Sequence, residues 1–141
     1  MSDQRHAVQV IRTGPGTFEA VNERGARMSM GSGDSADFTP VELLLAAAAG
    51  CAGIDVDLIT ARRAEPEEFS MQASGEKVHD EEGSHLTDVR VAFTVRFPSD
   101  EGGDEARQRL PRAIEQSRDR LCTVSRTIAL PTSVTMLDAT T

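Results

Sequence analysis

A long apolar segment with a strong helix-start signal restricts the fold of this chain more than any other feature. Residues 43–54 carry no charge. Just before them, Thr39 can cap a helix, Pro40 suits the first helical position, and Glu42 completes a capping box. Good helix formers follow, so we predict a helix over residues 40–63. Its uncharged run is shorter than the ~18 residues that span a membrane, which predicts a buried core helix.

Strand patterns lie on both sides of this helix. Glycine and proline turn signals separate three short candidates, which are residues 7–11, 17–21 and 26–30. Beyond the helix, residues 69–78 are broadly strand-like, and residues 86–97 alternate apolar and polar side chains. We expect a second hairpin here, closed by an exposed acidic loop at residues 79–84.

The C-terminal third predicts one more helix and one more strand. Apolar residues recur on one helix face over residues 105–121, although Pro111 weakens or divides this helix. Cys122 follows, and a final strand is expected around residues 133–137. This order lacks regular βαβ alternation, which indicates the α+β class. No linker or repeat is visible, so we predict one domain over residues 1–141.

The charge balance argues against several partners. The chain has 15 Lys and Arg against 23 Asp and Glu, a net charge of −8, which repels nucleic acid and anionic membrane surfaces. It has no Trp or Tyr to stack on bases. The first residues lack the apolar core of a secretory signal, so we expect a cytoplasmic protein with reduced cysteines.

Cys51 and Cys122 are the two cysteines, and they lie too far apart for a local CxxC site. A lone buried cysteine often acts as a small hydrophobe. Cys122 is the more suggestive of the two, because Ser125 and Thr123 supply nearby donors. Cys51 lies deep in its helix and needs a cation from another segment. Asp55 shares its helix face and would raise the pKa of the thiol, so a buried Asp55 also requires a cation.

Two motifs carry a resemblance to a known family. Residues 39–51 read TPVELLLAAAAGC and continue as GIDV at residues 53–56, which resembles the central-helix signature of the OsmC/Ohr superfamily. Residues 122–125 read CTVS, which is similar to the second-cysteine motif C-x-V-S of these osmotically inducible and organic hydroperoxide resistance proteins. The form is closer to the OsmC-like branch, and the resemblance covers nearly the whole chain.

The resemblance implies an intertwined homodimer, with curved antiparallel sheets around a long central helix and the active site at the dimer interface. It implies that Cys51 attacks an organic hydroperoxide and becomes a sulfenic acid, and that Cys122 condenses with it to a disulfide. A dithiol reductant, typically lipoyl-based, would restore the thiols. No metal or organic cofactor is implied.

One position departs from the family pattern. The hydroperoxide reductases have a glutamate directly after the helix-starting proline, paired with an upstream arginine, whereas this chain has Val41 there. Glu42 is one residue further on, which turns its side chain by about 100°. We take Glu42 and Arg27 as candidate catalytic residues, with Arg12 and Arg24 as alternatives to Arg27 and capping as the alternative role of Glu42.

Three alternatives to a thiol peroxidase start from the same sequence. The first is a non-catalytic or redox-sensing dimer that binds a hydrophobic small molecule at its interface. The second is a Cys/His hydrolase, which no histidine near either cysteine motif supports. The third is a metal site at His79 and His85, but their spacing matches no metal motif, and an exposed acidic loop is favoured.

Overall fold

A computed structural model of the chain describes residues 4–140 and has the predicted α+β class. The elements in order are β1 (Gln9–Gly14), β2 (Thr17–Val21), β3 (Arg27–Met30), α1 (Pro40–Thr60), β4 (Glu68–Asp80), β5 (Gly83–Arg96), α2 (Glu101–Gln116) and α3 (Thr123–Ala129). The chain divides into two compact units, and the boundary falls within α1 after Leu44.

The first unit contains a three-stranded antiparallel sheet in the order β1-β2-β3. The Asn22 side chain closes the second turn by accepting hydrogen bonds from the backbone N–H groups of Arg24 and Ala26, at 3.0 and 2.9 Å. The three predicted strands are confirmed, with β1 shifted toward its turn. After β3, the chain enters α1 through the loop that ends at Thr39.

The second unit places α1 beside a long antiparallel hairpin of β4 and β5. Ala48, Ala52, Val56 and Thr60 recur every fourth residue and form a buried stripe on α1. A Cβ atom on Gly53 would lie 2.5 Å from the Met71 sulfur, so glycine lets β4 approach this helix closely. The predicted hairpin is confirmed, but its strands extend into the acidic loop and leave a turn of two residues, 81 and 82.

The second helix begins earlier than predicted because Asp100 caps it. The Asp100 carboxylate accepts a hydrogen bond from the Gly103 N–H at 2.7 Å, and α2 starts at Glu101. Pro111 lies inside α2 and does not divide it. Its missing N–H removes one backbone hydrogen bond without ending the helix. The last turn of the predicted helix, Ser117–Leu121, is wound as a π-helix.

The predicted final strand at residues 133–137 is wrong for the chain by itself. Residues 131–140 have no regular secondary structure, and Val134, Met136 and Leu137 are 77%, 91% and 84% exposed. A strand needs a neighbour for its backbone N–H and C=O groups, and within residues 4–140 these residues pair with no other strand. The alternating sequence alone therefore does not produce a strand here.

Length and composition alone would allow α1 to cross a membrane. It has 21 residues, with a mean hydropathy of 1.7 over its most apolar 18-residue window. Core helices of soluble proteins pass the same test. Here Val56 and Thr60 are fully buried, and the helix packs on β4 through Gly53. The predicted core helix is confirmed for this face.

Candidate functional site

Cys51 and Cys122 meet in the second unit with Asp55 as a third member of the cluster. The two sulfur atoms and one carboxylate oxygen all lie within 4.8 Å of one another. Both cysteines are free thiols; Cys51 is half-buried and Cys122 is fully buried. The fold therefore brings together the two cysteines that the sequence analysis selected.

Cys122 is held where the π-helical turn ends and α3 begins. Its backbone is extended, and its sulfur accepts a hydrogen bond from the Ser125 N–H at 3.3 Å. The thiol also donates to the Ser125 hydroxyl oxygen at 3.1 Å. The expectation that Ser125 supplies a local donor is confirmed.

Asp55 lies one helical turn after Cys51, on the same face of α1. The Ser117 hydroxyl donates a hydrogen bond to Asp55 Oδ2 at 2.9 Å, and Ser117 is 1% exposed. Ser117 is the first residue of the π-helical turn that leads to Cys122. Ser117 is not predicted from the sequence, because a single serine in a charged helix gives no signal of a buried partner.

The surroundings of Cys51 disfavour its thiolate. Burial is the main cause that raises the pKa of the Cys51 thiol above its usual value, and the nearby Cys122 thiol and Asp55 carboxylate raise it further. A hydrogen bond from the backbone of Val124 opposes this effect. Within residues 45–140, no Arg or Lys forms an ion pair with Asp55. The cation expected beside Asp55 is therefore not supplied by this part of the chain.

Arg27 and Glu42 have local partners in the first unit. The Arg27 guanidinium forms an ion pair with Glu19 on the neighbouring strand, and its side chain is 61% exposed. Glu42 accepts a hydrogen bond from the Thr39 N–H at 2.8 Å, and Thr39 Oγ1 accepts one from the Glu42 N–H at 3.2 Å. The capping box is confirmed, while the catalytic roles of Arg27 and Glu42 stay predictions.

The two histidines near the hairpin turn have nearby polar partners. His79 Nδ1 shares a hydrogen bond with the Ser84 hydroxyl at 2.7 Å, and His85 Nδ1 lies 3.7 Å from Asp80 Oδ1. Within residues 4–140, the cluster of possible metal ligands is the one at Cys51, not at these histidines.

A mainly apolar cavity of about 450 Å³ is lined by neighbours of the two cysteines. Ala48 and Ala52, on the same helix as Cys51, form part of one wall, and Phe93 of β5 also lines the cavity. Ser125, the hydrogen-bond partner of Cys122, lines it as well, together with Arg126. Neither cysteine lines this cavity, but residues next to each of them do, and its mainly apolar wall can hold an apolar group.

Comparison with protein families and relatives places most of the chain in one group. A family model described as OsmC-like protein matches residues 31–136. An uncharacterized protein of Mycobacterium tuberculosis is 31% identical over 129 residues, which cover 90% of this chain and 91% of the relative.

Solved structures share the fold at low sequence identity. An OsmC-like protein of unknown function from Vibrio cholerae matches with a TM-score of 0.76 at 16% identity, over 92% of this chain and 96% of that protein. The organic hydroperoxide resistance protein OhrB of Bacillus subtilis matches with a TM-score of 0.53 at 12% identity, over 86% of this chain and 90% of that protein. At these identities the likeness establishes the fold alone.

Proposed function

This chain belongs to the OsmC-like protein family, and on that premise we propose that it is a thiol-dependent peroxidase that reduces organic hydroperoxides. One observation carries the proposal: two free thiols, distant in sequence, lie within 4.8 Å of each other. A sulfenic acid on one cysteine can then be captured by the other before further oxidation. The fold is shared with a protein named for organic hydroperoxide resistance.

The exposure of the two thiols supports the proposed roles, with Cys51 as the attacking thiol and Cys122 as the resolving thiol. Cys51 is half-buried and can meet a substrate, whereas Cys122 is fully buried. The Cys51 thiolate attacks one peroxide oxygen, the O–O bond breaks, and the other oxygen leaves as an alcohol after taking a proton. The Cys122 thiol then attacks the sulfenic sulfur, which forms the disulfide and releases water. A dithiol, of the lipoyl type by resemblance, reduces the disulfide.

Activation of Cys51 requires a positive charge, because burial and Asp55 both raise the pKa of this thiol. We assign that role to Arg27, with Glu42 as its acidic partner, on the resemblance to the family's arginine and glutamate. In this chain Arg27 pairs with Glu19 and Glu42 caps α1, so both would have to exchange partners. The proposal therefore includes a rearrangement in the first unit.

We also propose that the chain forms a homodimer, because it leaves apolar surface uncovered. Ile54 and Leu58, one turn apart on α1, are 63% and 64% exposed. The hairpin of β4 and β5 is a two-stranded sheet, so within the described residues each of its strands has one edge without a neighbouring strand. Residues 131–140 add an uncovered segment with a strand-like sequence. A second copy of the chain would cover these surfaces.

The apolar cavity lined by Ala52 and Ser125, which are neighbours of the two cysteines, supports an organic substrate over hydrogen peroxide. Its volume of about 450 Å³ exceeds what a small polar peroxide needs. The same cavity favours a second candidate, a non-catalytic or redox-sensing dimer that binds a hydrophobic small molecule. The raised pKa of Cys51 also favours this alternative, because a protonated thiol is a weak nucleophile.

Peroxide consumption by the reduced protein tests the two functions. We would follow turnover of cumene hydroperoxide and of hydrogen peroxide with dihydrolipoamide as reductant and a metal chelator present. Sustained turnover that favours cumene hydroperoxide is expected, with none in Cys51→Ser. Cys122→Ser should react once and then stop. If the folded protein turns over no peroxide with any dithiol, the peroxidase is excluded and the binding dimer becomes the proposed function.

A further inference from the structure

The cysteine pair and Asp55 have the composition of a metal site. Two thiols and a carboxylate with all donor atoms within 4.8 Å form a cluster that no linear sequence motif indicates. Thiolate sulfur and carboxylate oxygen are both common ligands of Zn²⁺. We infer that the reduced protein binds one Zn²⁺ per chain through Cys51, Cys122 and Asp55.

The spacing of the three donors suits a tetrahedral ion after a small contraction. Bonds of about 2.3 Å to sulfur and about 2.0–2.2 Å to oxygen place neighbouring ligands roughly 3.5–3.8 Å apart. The donors of this cluster span up to 4.8 Å, so they need to close by about 1 Å. Rotation of the half-buried Cys51 and Asp55 side chains can supply that movement.

Two hydrogen bonds from neighbouring residues already orient the donors. Ser117 holds one oxygen of Asp55 at 2.9 Å, which leaves the other oxygen for an ion. The Ser125 N–H points to the Cys122 sulfur at 3.3 Å and would stabilise its thiolate. Hydrogen bonds of this kind fix the ligands of protein metal sites and support their affinity.

The charge of the cluster also favours a cation. Asp55 has no ion-pair partner among the Arg and Lys side chains of residues 45–140. A partly buried carboxylate beside two thiols is costly unless a positive charge accompanies it. Zn²⁺ would displace one proton from each thiol and bind the two thiolates and the carboxylate. A water molecule would fill the fourth position of this open site.

The ion and a peroxide would compete for the same sulfur atoms. Zn²⁺ bound to both thiolates blocks attack on a peroxide, and a Cys51–Cys122 disulfide removes two of the three ligands and releases the ion. This consequence for catalysis rests on the proposed peroxidase function, whereas the binding of zinc does not. The two proposals can therefore fail separately.

Metal titration of the full-length protein tests the site. The reduced, metal-free protein would compete for Zn²⁺ with a chromophoric chelator, and Co²⁺ would report on the ligands. We expect one ion per chain and sulfur-to-cobalt charge-transfer absorption. Cys51→Ser and Cys122→Ser should each abolish tight binding. Asp55→Asn should weaken it by more than about tenfold, a loss seen even for residues that only support a ligand.

Two controls keep the result independent of misfolding. Asp57→Asn removes an exposed carboxylate from the same helix and should leave the affinity unchanged. Wild-type protein oxidised to the disulfide should bind no zinc and regain binding after reduction. Equal affinity in Asp55→Asn and wild type, binding that survives oxidation, or no binding by the reduced protein would each overturn the proposed site. The peroxidase assay contains a chelator, so the turnover that it measures does not depend on any of these three outcomes.

Discussion

Opposing effects act on the pKa of the Cys51 thiol. Burial and the neighbouring Asp55 and Cys122 disfavour its thiolate, while the Val124 backbone hydrogen bond favours it. The net effect raises the pKa, so the thiol form dominates at neutral pH and the thiolate gains population as the pH rises. A cation beside Asp55, from an arginine or a metal ion, would reverse this preference.

Removal of the Asp55 charge should make Cys51 more reactive. We predict that Asp55→Asn, in a Cys122→Ser background with chelator present, alkylates faster with iodoacetamide at neutral pH. Its rate should also reach half-maximum at a lower pH, because the thiolate no longer faces a carboxylate. Alkylation that is quenched at set times and analysed by mass spectrometry over a pH series measures the rate and the pH of its half-maximum. Asp57→Asn in the same background is the control. Equal rates and pH profiles of alkylation in Cys122→Ser alone, with Asp55→Asn and with Asp57→Asn would contradict the prediction.

The sequence predicted part of this site and could not predict the rest. Cys51 and Asp55 share a helix face by their spacing, so their contact followed from the helix alone. The approach of Cys122 and Ser117 depends on how the second helix ends in a π-helical turn. One extra residue in that turn changes which side chains point inward, and no propensity rule locates such a turn.

At the scale of single elements, the start of α1 is defined by reciprocal hydrogen bonds between Thr39 and Glu42. We predict that Thr39→Ala lowers the free energy of unfolding by about 1 kcal/mol. Glu42→Gln keeps an acceptor for the Thr39 N–H and should change stability by less than about 0.5 kcal/mol. Urea denaturation measures both, with exposed Glu65→Gln as control. If Glu42→Gln lowers the free energy of unfolding as much as Thr39→Ala does, the charge of Glu42, and not its hydrogen bond, stabilises the start of α1.

The start of α2 depends on a close approach that only glycine allows. A Cβ atom on Gly103 would lie 1.8 Å from the Pro98 carbonyl oxygen, which is backbone and cannot rotate away. We predict that Gly103→Ala destabilises the protein by about 3 kcal/mol through overpacking. Asp100→Ala should cost about 1 kcal/mol through loss of the cap.

Thermal and urea unfolding would rank these variants, with Gln108→Ala, an exposed change on the same helix, expected within about 0.5 kcal/mol of wild type. If Gly103→Ala lowers the free energy of unfolding no more than Gln108→Ala does, the segment before α2 can move to make room for the added Cβ atom.

Local signals were sufficient for most elements, because caps, turns and alternation act over a few residues. They placed β2 at its observed bounds and gave α1 its observed first residue. They failed at residues 133–137, where the sequence alternates but the chain offers no neighbouring strand. A strand needs hydrogen bonds to a neighbouring strand, so the alternation in its own sequence cannot decide whether it forms.

Considered as a whole molecule, the chain leaves its apolar residues uncovered in several places. Ile54 and Leu58 face outward from α1, and Met136 and Leu137 are more than 80% exposed near the C-terminus. Phe69 and Met71 of β4 line an open apolar depression next to Ile54. Contiguous exposed apolar surface is one mark of a protein interface. The surface is thus continuous from α1 to β4, which is where we expect the second copy to bind.

The proposed dimer should therefore depend on this face of α1. Full burial of an Ile or Leu side chain contributes about 1.5–3 kcal/mol, so two such residues changed to Glu in both copies should weaken association by more than about a hundredfold. We predict that wild type sediments as a dimer and that Ile54→Glu/Leu58→Glu sediments as a monomer. Gln108→Glu adds one negative charge per chain, against two in the double variant, at an exposed position of α2, and it should leave the dimer intact. A monomeric wild type, or a double variant that stays dimeric, would mean that this face serves another partner or none.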